Sequence, residues 1–442
     1  MATASRRPCS PPLEQPLPGL PHVALQRYLP AAVVAQLAQA CGVRGYRRVY
    51  DPVVMLWGLV AGALGGHLSQ EAVVERLAAG LGRPLSAGSG GFCRAQARQS
   101  VALMRACAEH VAAVAAGFVR ACGTSIEYAL DGFFAALADT AANQARYPQS
   151  SSQRGGCGWP LLHAVALVDQ GTGCICALSL GSLHDHDAKL AKPLWERLAP
   201  GDVLAADRGF ASYGLLAGAT ARGWTAVVRQ HQRRLNQSAL VGDSDDGHEV
   251  WARPKRCAPW WDDPQPQQLA VRVVRQRLSG GRELVVNTNA SPDQLSKEQV
   301  LACYEQRWRI ETRFLELKAY LALEPLRAQD PERCELLLWS WVLAYNLVRC
   351  VMCEAALARG VSPYELSFVG ALAVLAAALV WPAGEAEMVG KWVVARVGAN
   401  RLPRRKSGRR DEPRRVKPWH RAYSLLQKPR GEYRERGRSR VA

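Results

Sequence analysis

The sequence lacks the features that mark several large classes of protein. It has no apolar leader of the secretory kind, and its 13 cysteines are odd in number and scattered from Cys9 to Cys353. This pattern argues against a disulfide framework and predicts reduced thiols in a cytoplasmic protein. Aromatic residues make up only 7% of the chain, but hydrophobic residues make up 48%. That supply of apolar side chains excludes wholesale disorder and predicts a folded core.

Long apolar runs and zinc motifs are also scarce. One of the two longest uncharged runs, residues 366–384, is rich in alanine and is interrupted by Pro382. Since this run is close to the lower length limit for a membrane span, we expect a buried helix and no membrane span. The one C-x-x-C pair, Cys350 and Cys353, has no second pair or neighbouring histidine to complete a zinc site. Core packing is therefore the expected role of these two thiols.

Acidic residues are in short supply, since 38 Asp and Glu oppose 56 Lys and Arg and leave a formal net charge of +18. Residues 401–442 contain 16 Lys and Arg and 4 Asp and Glu, a net charge of +12, which leaves +6 for the first 400 residues. A basic segment of this kind favours a polyanion such as the phosphate backbone of nucleic acid. A solvated, disordered end is the alternative.

Alternating His and Asp residues occupy positions 184–187, a pattern that could bind a transition metal. The segment lies between a predicted strand and a predicted helix, and no distant fourth ligand is evident in the sequence. Asp185 or Asp187 is well suited to cap the first turn of that helix. We therefore interpret the cluster as a helix start and not as a metal site.

Changes of composition along the chain predict six segments. A Pro-rich start is followed by a helical region, a mixed α/β region, further helices and a basic end. The predicted boundaries are 1–24 for a loose N-terminus, 25–122 for a helical region, 123–229 for the first part of the mixed α/β region, 230–290 for a mainly β insertion, 291–385 for the remainder of the α/β region with C-terminal helices, and 386–442 for a basic tail.

Two segments of the helical region could form a helix-turn-helix reader of DNA. Helical spacing predicts helices at 70–79 and 92–104. The second helix would expose Arg94, Arg98 and Arg105 to a DNA groove. Because a basic helix face is usually only solvated, a plain surface helix is the alternative.

Two aspartates are expected where strands end. Residues 126–130 alternate in hydrophobicity and run into Asp131, and the apolar run 203–206 leads directly into Asp207. A run that is apolar on both faces is typical of a central, doubly covered strand. We therefore expect Asp207 at the end of a buried strand, with Asp131 at the end of another.

Other strands are predicted around these two. Residues 163–168 and 174–180 are β-like and are separated by a glycine-containing turn, which predicts an antiparallel hairpin. Later in the chain, β-rich stretches predict three more strands, at 225–229, 269–278 and 283–287.

A helix predicted to begin near Lys297 carries a third carboxylate, Glu311. At about 100° per residue, Tyr304, Arg307 and Lys318 share with it an arc of about 60° beside the apolar stripe of the helix. An ordinary amphipathic helix with an Arg and Glu pair is the alternative for this helix taken alone. Two aspartates at strand ends and a glutamate on a later helix are, however, the ingredients of a two-metal phosphoryl-transfer site.

The sequence resembles bacterial insertion-sequence DDE transposases of the insertion sequence 4 type. The family signature is a Tyr, two residues, an Arg, three residues, a Glu, six residues and a Lys, and it is matched in full by Tyr304, Arg307, Glu311 and Lys318. The residues around Asp131 and Asp207 resemble the two aspartate blocks of the family. The first block also includes Asp139, Thr140 and Asn143, and the second includes Arg208, Gly209 and Phe210. The resemblance covers about residues 25–380.

The resemblance implies an α/β fold with a ribonuclease H-like mixed-sheet catalytic core and a mainly β insertion. A helical N-terminal domain would precede the core, and helices and a basic tail would follow it. The resemblance further implies that Asp131, Asp207 and Glu311 hold two Mg²⁺ ions, with Mn²⁺ as an alternative metal. The residues implied to contact the DNA backbone around the cleaved end are Tyr304, Arg307 and Lys318.

The implied reaction is hydrolysis at the transposon ends, followed by attack of the freed 3′-hydroxyl on target DNA. The implied partners are the terminal inverted repeats and target DNA, and paired ends imply a homodimer. The implied location is the bacterial cytoplasm, and the nucleoid when the protein is bound to DNA. Phe133 departs from the family pattern, in which a small hydroxyl residue is common after the Asp-Gly pair, but the Asp131 carboxylate is unaffected.

Two other functions remain open at the level of the sequence. One is a ribonuclease H-like nuclease that does not join strands, and the other is a non-catalytic DNA-binding protein derived from a transposase. The role of Trp251, Trp260 and Trp261 in the insertion is also open, because stacking on a flipped base and core packing fit the sequence equally well.

Overall fold

The computed structural model describes residues 23–43, 49–66, 68–81, 85, 89–120, 126–231, 245–256, 258, 261, 263, 265–278, 283–323, 326–378, 386–403, 428–429 and 432. Nearly all of the predicted loose N-terminus and most of the predicted basic tail lie outside these residues. Trp260 of the predicted β insertion also lies outside them.

An eight-stranded mixed sheet forms the centre of the structure. Its spatial order is β3-β2-β1-β4-β5-β8-β7-β6. Strands β1, β4 and β5 are parallel, whereas the other neighbours are antiparallel. The strands are β1 (Glu127–Ala136), β2 (Leu161–Asp169), β3 (Ile175–Ser182), β4 (Val203–Ala206), β5 (Thr225–Arg229), β6 (Asp246–Ala252), β7 (Gln268–Arg277) and β8 (Glu283–Thr288).

This sheet confirms the predicted α/β fold with a ribonuclease H-like core. The strands of segment 230–290 continue the central sheet, because β8 pairs with β5. Strand β6 was not predicted. It lies at the sheet edge with most of its side chains partly or fully exposed, so its sequence does not show the alternation of a half-buried strand.

Helices cover both faces of the sheet. One face carries α8 and α9, and the other carries α10, α11 and α12. The helices are α1 (Val23–Gln26), α2 (Ala31–Ala40), α3 (Pro52–Leu64), α4 (Gln70–Leu81), α5 (Gly90–Gln96), α6 (Val101–Val119), α7 (Ala141–Arg146), α8 (Asp187–Ala191), α9 (Tyr213–Arg222), α10 (Lys297–Gln306), α11 (Arg309–Leu315), α12 (Pro331–Arg359), α13 (Phe368–Ala378) and α14 (Ala386–Ala399). Two 3₁₀ turns, Lys192–Arg197 and Pro363–Glu365, and a π-turn, Glu316–Tyr320, complete the helical elements of the described residues.

One large hydrophobic cluster joins the N-terminal helices, α12 and one face of the sheet. The central helix α12 packs against α3, α6 and α14. Cys350 and Cys353 of the C-x-x-C pair are buried within this cluster, which agrees with their expected role in packing. The predicted helical domain therefore shares its core with the C-terminal helices, and its boundaries remain a prediction.

Two helices, α6 and α12, are long and apolar enough to cross a membrane by length and composition alone. Of the most apolar window of α12, 94% is buried inside the protein, so packing accounts for its composition. In α6 the buried share is 44%, and this helix packs against α12. The uncharged run 366–384 contains the shorter helix α13, whose Ala371 and Leu375 are buried.

The predicted helix at 92–104 is wrong in its extent. Helix α5 ends at Gln96, and α6 begins at Val101 because the Ser100 hydroxyl accepts a hydrogen bond from the backbone N–H of Leu103. Arg94 and Arg105 therefore lie on different helices, although both side chains are exposed. The predicted basic face of one recognition helix does not form.

The segment predicted as a basic tail from residue 386 begins with a helix. Helix α14 occupies Ala386–Ala399 and buries Val389, Val393 and Val397, which recur every four residues. The backbone N–H of Leu402 then donates to the carbonyl of Glu365. The basic segment therefore begins beyond Pro403, outside the described residues apart from residues 428–429 and 432.

Candidate active site

The sequence predicted Asp131 at the end of its strand. In the structure Asp131 lies within β1. β1 pairs with β2 as far as Ala136 but pairs with β4 only from Glu127 to Leu130. Asp131 is thus the first residue of β1 beyond the stretch that has a strand on both sides. Asp131 and Gly132 interrupt the buried positions of β1, and burial resumes at Phe133 and Ala135.

Asp207 follows β4 directly, as predicted. The last residue pair between β1 and β4 is Leu130 with Ala206, so the two aspartates occupy equivalent positions on neighbouring parallel strands. Their side chains are 26% and 37% exposed. The structure therefore brings these two predicted site residues together at a partly open edge.

Arg307 connects the two aspartates. Its Nη1 lies 3.5 Å from Oδ2 of Asp131, and its Nη2 lies 3.9 Å from Oδ1 of Asp207. The Tyr304 hydroxyl donates to Oδ1 of Asp207 over 3.2 Å, and the backbone N–H of Gly132 donates to Oδ1 of Asp131 over 2.9 Å. Each carboxylate therefore has its own hydrogen-bond donor, and both share one guanidinium group.

Burial and charge shape the ionisation of this group. The pKa of Asp131 is raised to about 6, chiefly by burial; the Gly132 N–H and Arg307 act to lower it, and the carboxylates of Asp207 and Glu311 act to raise it. Burial also raises the pKa of Tyr304, which keeps its hydroxyl protonated as a donor. Crowded carboxylates repel one another, so a bound cation would stabilise the group.

Glu311 lies on α11, which packs against β1, and its side chain is exposed. The prediction of a single continuous helix from Lys297 onwards is wrong. The helix breaks between α10 and α11, at Arg307 and Trp308, and gives way to the π-turn at Glu316. The uniform spacing of 100° per residue therefore does not hold across the four signature residues.

Lys318 lies in this π-turn and contacts β1. Its Nζ donates to the backbone carbonyl of Phe134 in β1 over 2.5 Å, and it lies 5.6 Å from the centre of the Phe133 ring. Phe133, the departure from the family pattern, thus packs beneath this amine. Lys318 links the chain after Glu311 to the strand that carries Asp131.

Two residues of the first aspartate block hold the chain that follows the π-turn. The Thr140 hydroxyl donates to the carbonyl of Gln329 over 2.8 Å. The buried Asn143 amide donates to the carbonyls of Ala138 and Ala328 over 2.9 and 3.0 Å. These hydrogen bonds give Thr140 and Asn143 a structural role. They do not involve the three carboxylates.

The His and Asp cluster at 184–187 begins helix α8, as predicted, but the cap is His186 and not an aspartate. Its Nδ1 accepts a hydrogen bond from the backbone N–H of Ala188. Asp185 instead pairs with Lys189 and accepts from the Ser182 N–H, and these bonds lower its pKa to about 2. The remaining carboxylate, that of Asp187, turns towards β1.

Asp187 and His163 lie beside the site and were not predicted as part of it. Oδ1 of Asp187 lies 2.9 Å from Nε2 of His163, a buried residue of β2. A Cβ atom placed on Gly132 would lie 2.7 Å from that Oδ1. The sequence gives no signal for this contact, because it depends on the pairing register of β1 with β2.

The donor set fits a hard divalent cation. Asp131, Asp207 and Glu311 offer oxygen atoms only, which Mg²⁺ and Mn²⁺ prefer over nitrogen and sulfur. In the part of the chain that the structure describes, no group of three or more His, Cys, Asp or Glu side chains is close enough to hold an ion as it stands. The preformed part of the site is therefore the pair of aspartates.

Comparison with known families decides the identity of this arrangement. The family described as the transposase DDE domain matches residues 116–347, which is more than half of the chain and includes all three carboxylates. The chain belongs to the transposase DDE domain family. The predicted resemblance to insertion-sequence DDE transposases is thereby confirmed, and members of the family generally use divalent metal ions.

Relatives of this DDE domain include transposases of Escherichia coli. The chain is 24% identical over 254 residues to transposase InsG of insertion sequence element IS4 from strain K12, across 56% of this chain and 57% of InsG. It is 37% identical over 78 residues to the transposase of insertion sequence element IS421, across 17% of this chain and 21% of that protein. The chain thus spans little more than half the length of the first of these relatives and a fifth of the second.

Among solved structures, the piggyBac transposase synaptic complex with hairpin DNA aligns with 88% of this chain and 86% of its own chain. The TM-score is 0.41 and the sequence identity is 10%.

Proposed function

We propose that this protein is a DNA transposase of an insertion sequence, with Asp131, Asp207 and Glu311 as its catalytic carboxylates. The observation that carries the proposal is the placement of Asp131 and Asp207 on neighbouring parallel strands, with the Arg307 guanidinium facing both. Glu311 lies on a helix that packs on the first of these strands. Membership of the DDE domain family supports the same assignment.

The proposed cofactor is a pair of Mg²⁺ ions, for which Mn²⁺ can substitute, held by the three carboxylates. Bound there, the ions would supply Lewis-acid stabilisation of the negative charge that develops on oxygen atoms around the reacting phosphorus. Tyr304 and Arg307 orient the two aspartates. This preorganisation lowers the cost of bringing like charges together.

The proposed substrate is a phosphodiester bond at a terminal inverted repeat. In the first step a water oxygen bonds to phosphorus and the bond from phosphorus to the 3′ oxygen breaks, so that the transposon end keeps a 3′-hydroxyl. In the second step this 3′ oxygen loses its proton and bonds to a phosphorus of target DNA, whose own 3′ oxygen leaves and is protonated. Each step exchanges one bond between phosphorus and oxygen for another, so no nucleotide cofactor is required.

The three residues that the family signature implies as DNA contacts differ in their exposure to solvent. Tyr304 and Arg307 are each 2% exposed and are bonded to the aspartates, which favours a positioning role for both. Lys318 is only half-buried, and its charged amine lies at β1, the strand that contains Asp131. We therefore propose Lys318 as the phosphate contact among these three residues.

The proposed partners are the terminal inverted repeats and target DNA. Since two transposon ends must be joined together, we also propose a homodimer in the paired-end complex. The helical N-terminal region, with the exposed Arg94, Arg98 and Arg105, is proposed as a DNA-binding surface. A bacterial cytoplasmic location, with the nucleoid as the site of action, follows from these partners.

The basic segment after Pro403 is proposed as a non-specific grip on the DNA backbone. Deleting residues 404–442 removes 15 Lys and Arg and 4 Asp and Glu. We expect weaker DNA binding and a shallower dependence of log K on log salt concentration, because fewer counterions are released. Cleavage by the remaining core should persist. Binding titrations between 50 and 200 mM salt, a range of about fourfold, measure the slope, and an unchanged slope would remove the proposed role of this segment.

Transposition in cells tests the proposed function. A selectable marker flanked by the terminal repeats that bracket the gene is placed on a donor plasmid, and the protein is supplied separately. We expect the marker to move to new positions in a second plasmid. Double-strand cuts at the repeats without relocation would favour a nuclease that does not join strands, and repeat binding without any cut would favour a non-catalytic DNA-binding protein.

A further inference from the structure

We infer that Asp187 and His163 are positioning residues of the proposed active site, which fix the separation of Asp131 and Asp207 from the face of the sheet opposite Arg307. The inference rests on the proposed function, because it concerns the same carboxylates. It gives a role to the His and Asp cluster that the sequence pattern assigned only to a helix start.

The separation of the two aspartates is not set by the sheet. Pairing between β1 and β4 ends at Leu130 and Ala206, one residue before each aspartate. Beyond that point β1 remains paired only with β2, so side-chain contacts hold the chain after β4 in place relative to β1. Arg307 does so on the face covered by α10 and α11, where it approaches both carboxylates.

Asp187 occupies the corresponding place on the opposite face. Successive residues of a strand point to opposite sides, so Gly132 faces α8 when Asp131 faces Arg307. A Cβ atom on Gly132 would lie 2.7 Å from Oδ1 of Asp187, and one on Gly209 would lie 3.9 Å from its Oδ2. The Asp187 carboxylate therefore lies against the backbone that follows each of the two aspartates.

His163 holds the Asp187 carboxylate in this place. Its ring is 3% exposed, with Nε2 2.9 Å from Oδ1 of Asp187 and Nδ1 3.1 Å from the carbonyl oxygen of Asp185. The Phe134 ring stacks on it with centroids 4.4 Å apart. Bonds at both nitrogens and a stacked ring leave the imidazole one orientation, so the carboxylate it contacts is fixed as well.

A direct link connects this pair to a proposed metal ligand. The backbone N–H of Gly132 donates to Oδ1 of Asp131 over 2.9 Å. Loss or alteration of the Asp187 side chain would allow Gly132 to shift. This shift would move the N–H donor and turn the Asp131 carboxylate. Partners that orient metal ligands in this way typically contribute about 10–100-fold to metal affinity or activity.

The test is Mn²⁺ binding to the full-length protein without DNA, measured by calorimetry or by the electron paramagnetic resonance of free Mn²⁺. We expect Asp187→Asn to raise the Mn²⁺ dissociation constant about tenfold. The thermal midpoint of the metal-free protein should change little, because the Asp187 side chain is 40% exposed. Glu196→Gln, a charge-neutralising change at a side chain that is 72% exposed, is the matched control and should bind Mn²⁺ like the wild type.

Gly132→Ala provides a second variant that leaves every charge in place. Its new methyl group would meet the Asp187 carboxylate and His163, so it should weaken Mn²⁺ binding in the same direction as Asp187→Asn. Unchanged Mn²⁺ affinity in both variants, with wild-type binding abolished by Asp131→Asn, would overturn the inference and leave the proposed function intact. Absence of Mn²⁺ binding by the wild type would overturn both.

Discussion

Asp131→Asn is expected to reduce DNA cleavage by at least about 1,000-fold, because several kcal/mol of transition-state stabilisation depend on the cation that this carboxylate would hold. The asparagine keeps the size of the side chain and can still accept from the Gly132 N–H, but it loses the negative charge. Asp207→Asn and Glu311→Gln should have effects of the same order. Binding of DNA that carries the terminal repeats should survive in all three variants, since the positively charged surfaces are unchanged.

The measurement is the rate of strand cleavage at a labelled repeat end with Mg²⁺, alongside a binding titration on the same DNA. Asp293→Asn is a suitable control, because it makes the same change at an exposed position in the loop before α10 and should cleave at the wild-type rate. Cleavage that persists in all three carboxylate variants would remove these residues from the catalytic centre. Loss of DNA binding together with cleavage would point to misfolding.

Asn346→Leu is expected to lower the free energy of unfolding by about 3–5 kcal/mol, the largest stability effect that we expect of a single polar side chain. The Asn346 amide accepts from the backbone N–H of Ile175 over 2.9 Å and donates to the carbonyls of Ile175 and Ala108 over 2.9 and 3.0 Å. All three residues are completely buried. Leucine has the same branched arrangement of side-chain heavy atoms, although it is larger, and it leaves these backbone groups without partners, so α12 loses its polar link to β3 and α6.

Urea denaturation of the two proteins measures this difference. Ser340→Ala is the matched control on the same helix, because Ser340 is equally buried but its hydroxyl bonds only to the carbonyl of Leu336 within α12. It should cost about 1 kcal/mol or less, since no partner outside the helix is lost. Equal effects of the two substitutions would mean that the bonds from Asn346 to β3 and α6 contribute nothing beyond local packing.

The parts of the fold that the sequence predicted well are those set by local physics. Strands Val203–Ala206 and Thr225–Arg229 have the predicted bounds, because short apolar runs between turn residues determine them. Helix α10 begins at Lys297, where Ser296 and Gln299 form a capping box. In both cases the signal lies within a few residues of the element itself.

The parts that the sequence did not predict depend on partners far along the chain. The position of Asp131 inside β1 follows from the different lengths over which β2 and β4 pair with that strand. The break at Arg307 places its guanidinium between two aspartates that lie over 90 residues away in the sequence. The contact of Asp187 with Gly132 likewise requires the register of three elements, which no local pattern encodes.

The three carboxylates were predicted as one group from local signals in the sequence. Asp131 and Asp207 could be singled out because each follows an apolar run, and Glu311 because it shares a helix segment with Tyr304 and Arg307. The predicted geometry of that segment was wrong at Arg307 and Trp308, where the helix breaks, and again from Glu316, where the π-turn carries Lys318 to the Phe134 carbonyl. The choice of these site residues stays a prediction, and it rests on motif spacing and not on helix regularity.

Strand joining by the purified protein tests the central claim most directly. A labelled duplex that ends in the terminal repeat and already carries its free 3′-hydroxyl is incubated with a supercoiled target plasmid and Mg²⁺. The account predicts covalent transfer of the labelled strand to the plasmid, no product with EDTA, and recovery when Mn²⁺ replaces Mg²⁺. Plasmid nicking without any labelled joint product, or joining that proceeds without a divalent cation, would contradict it.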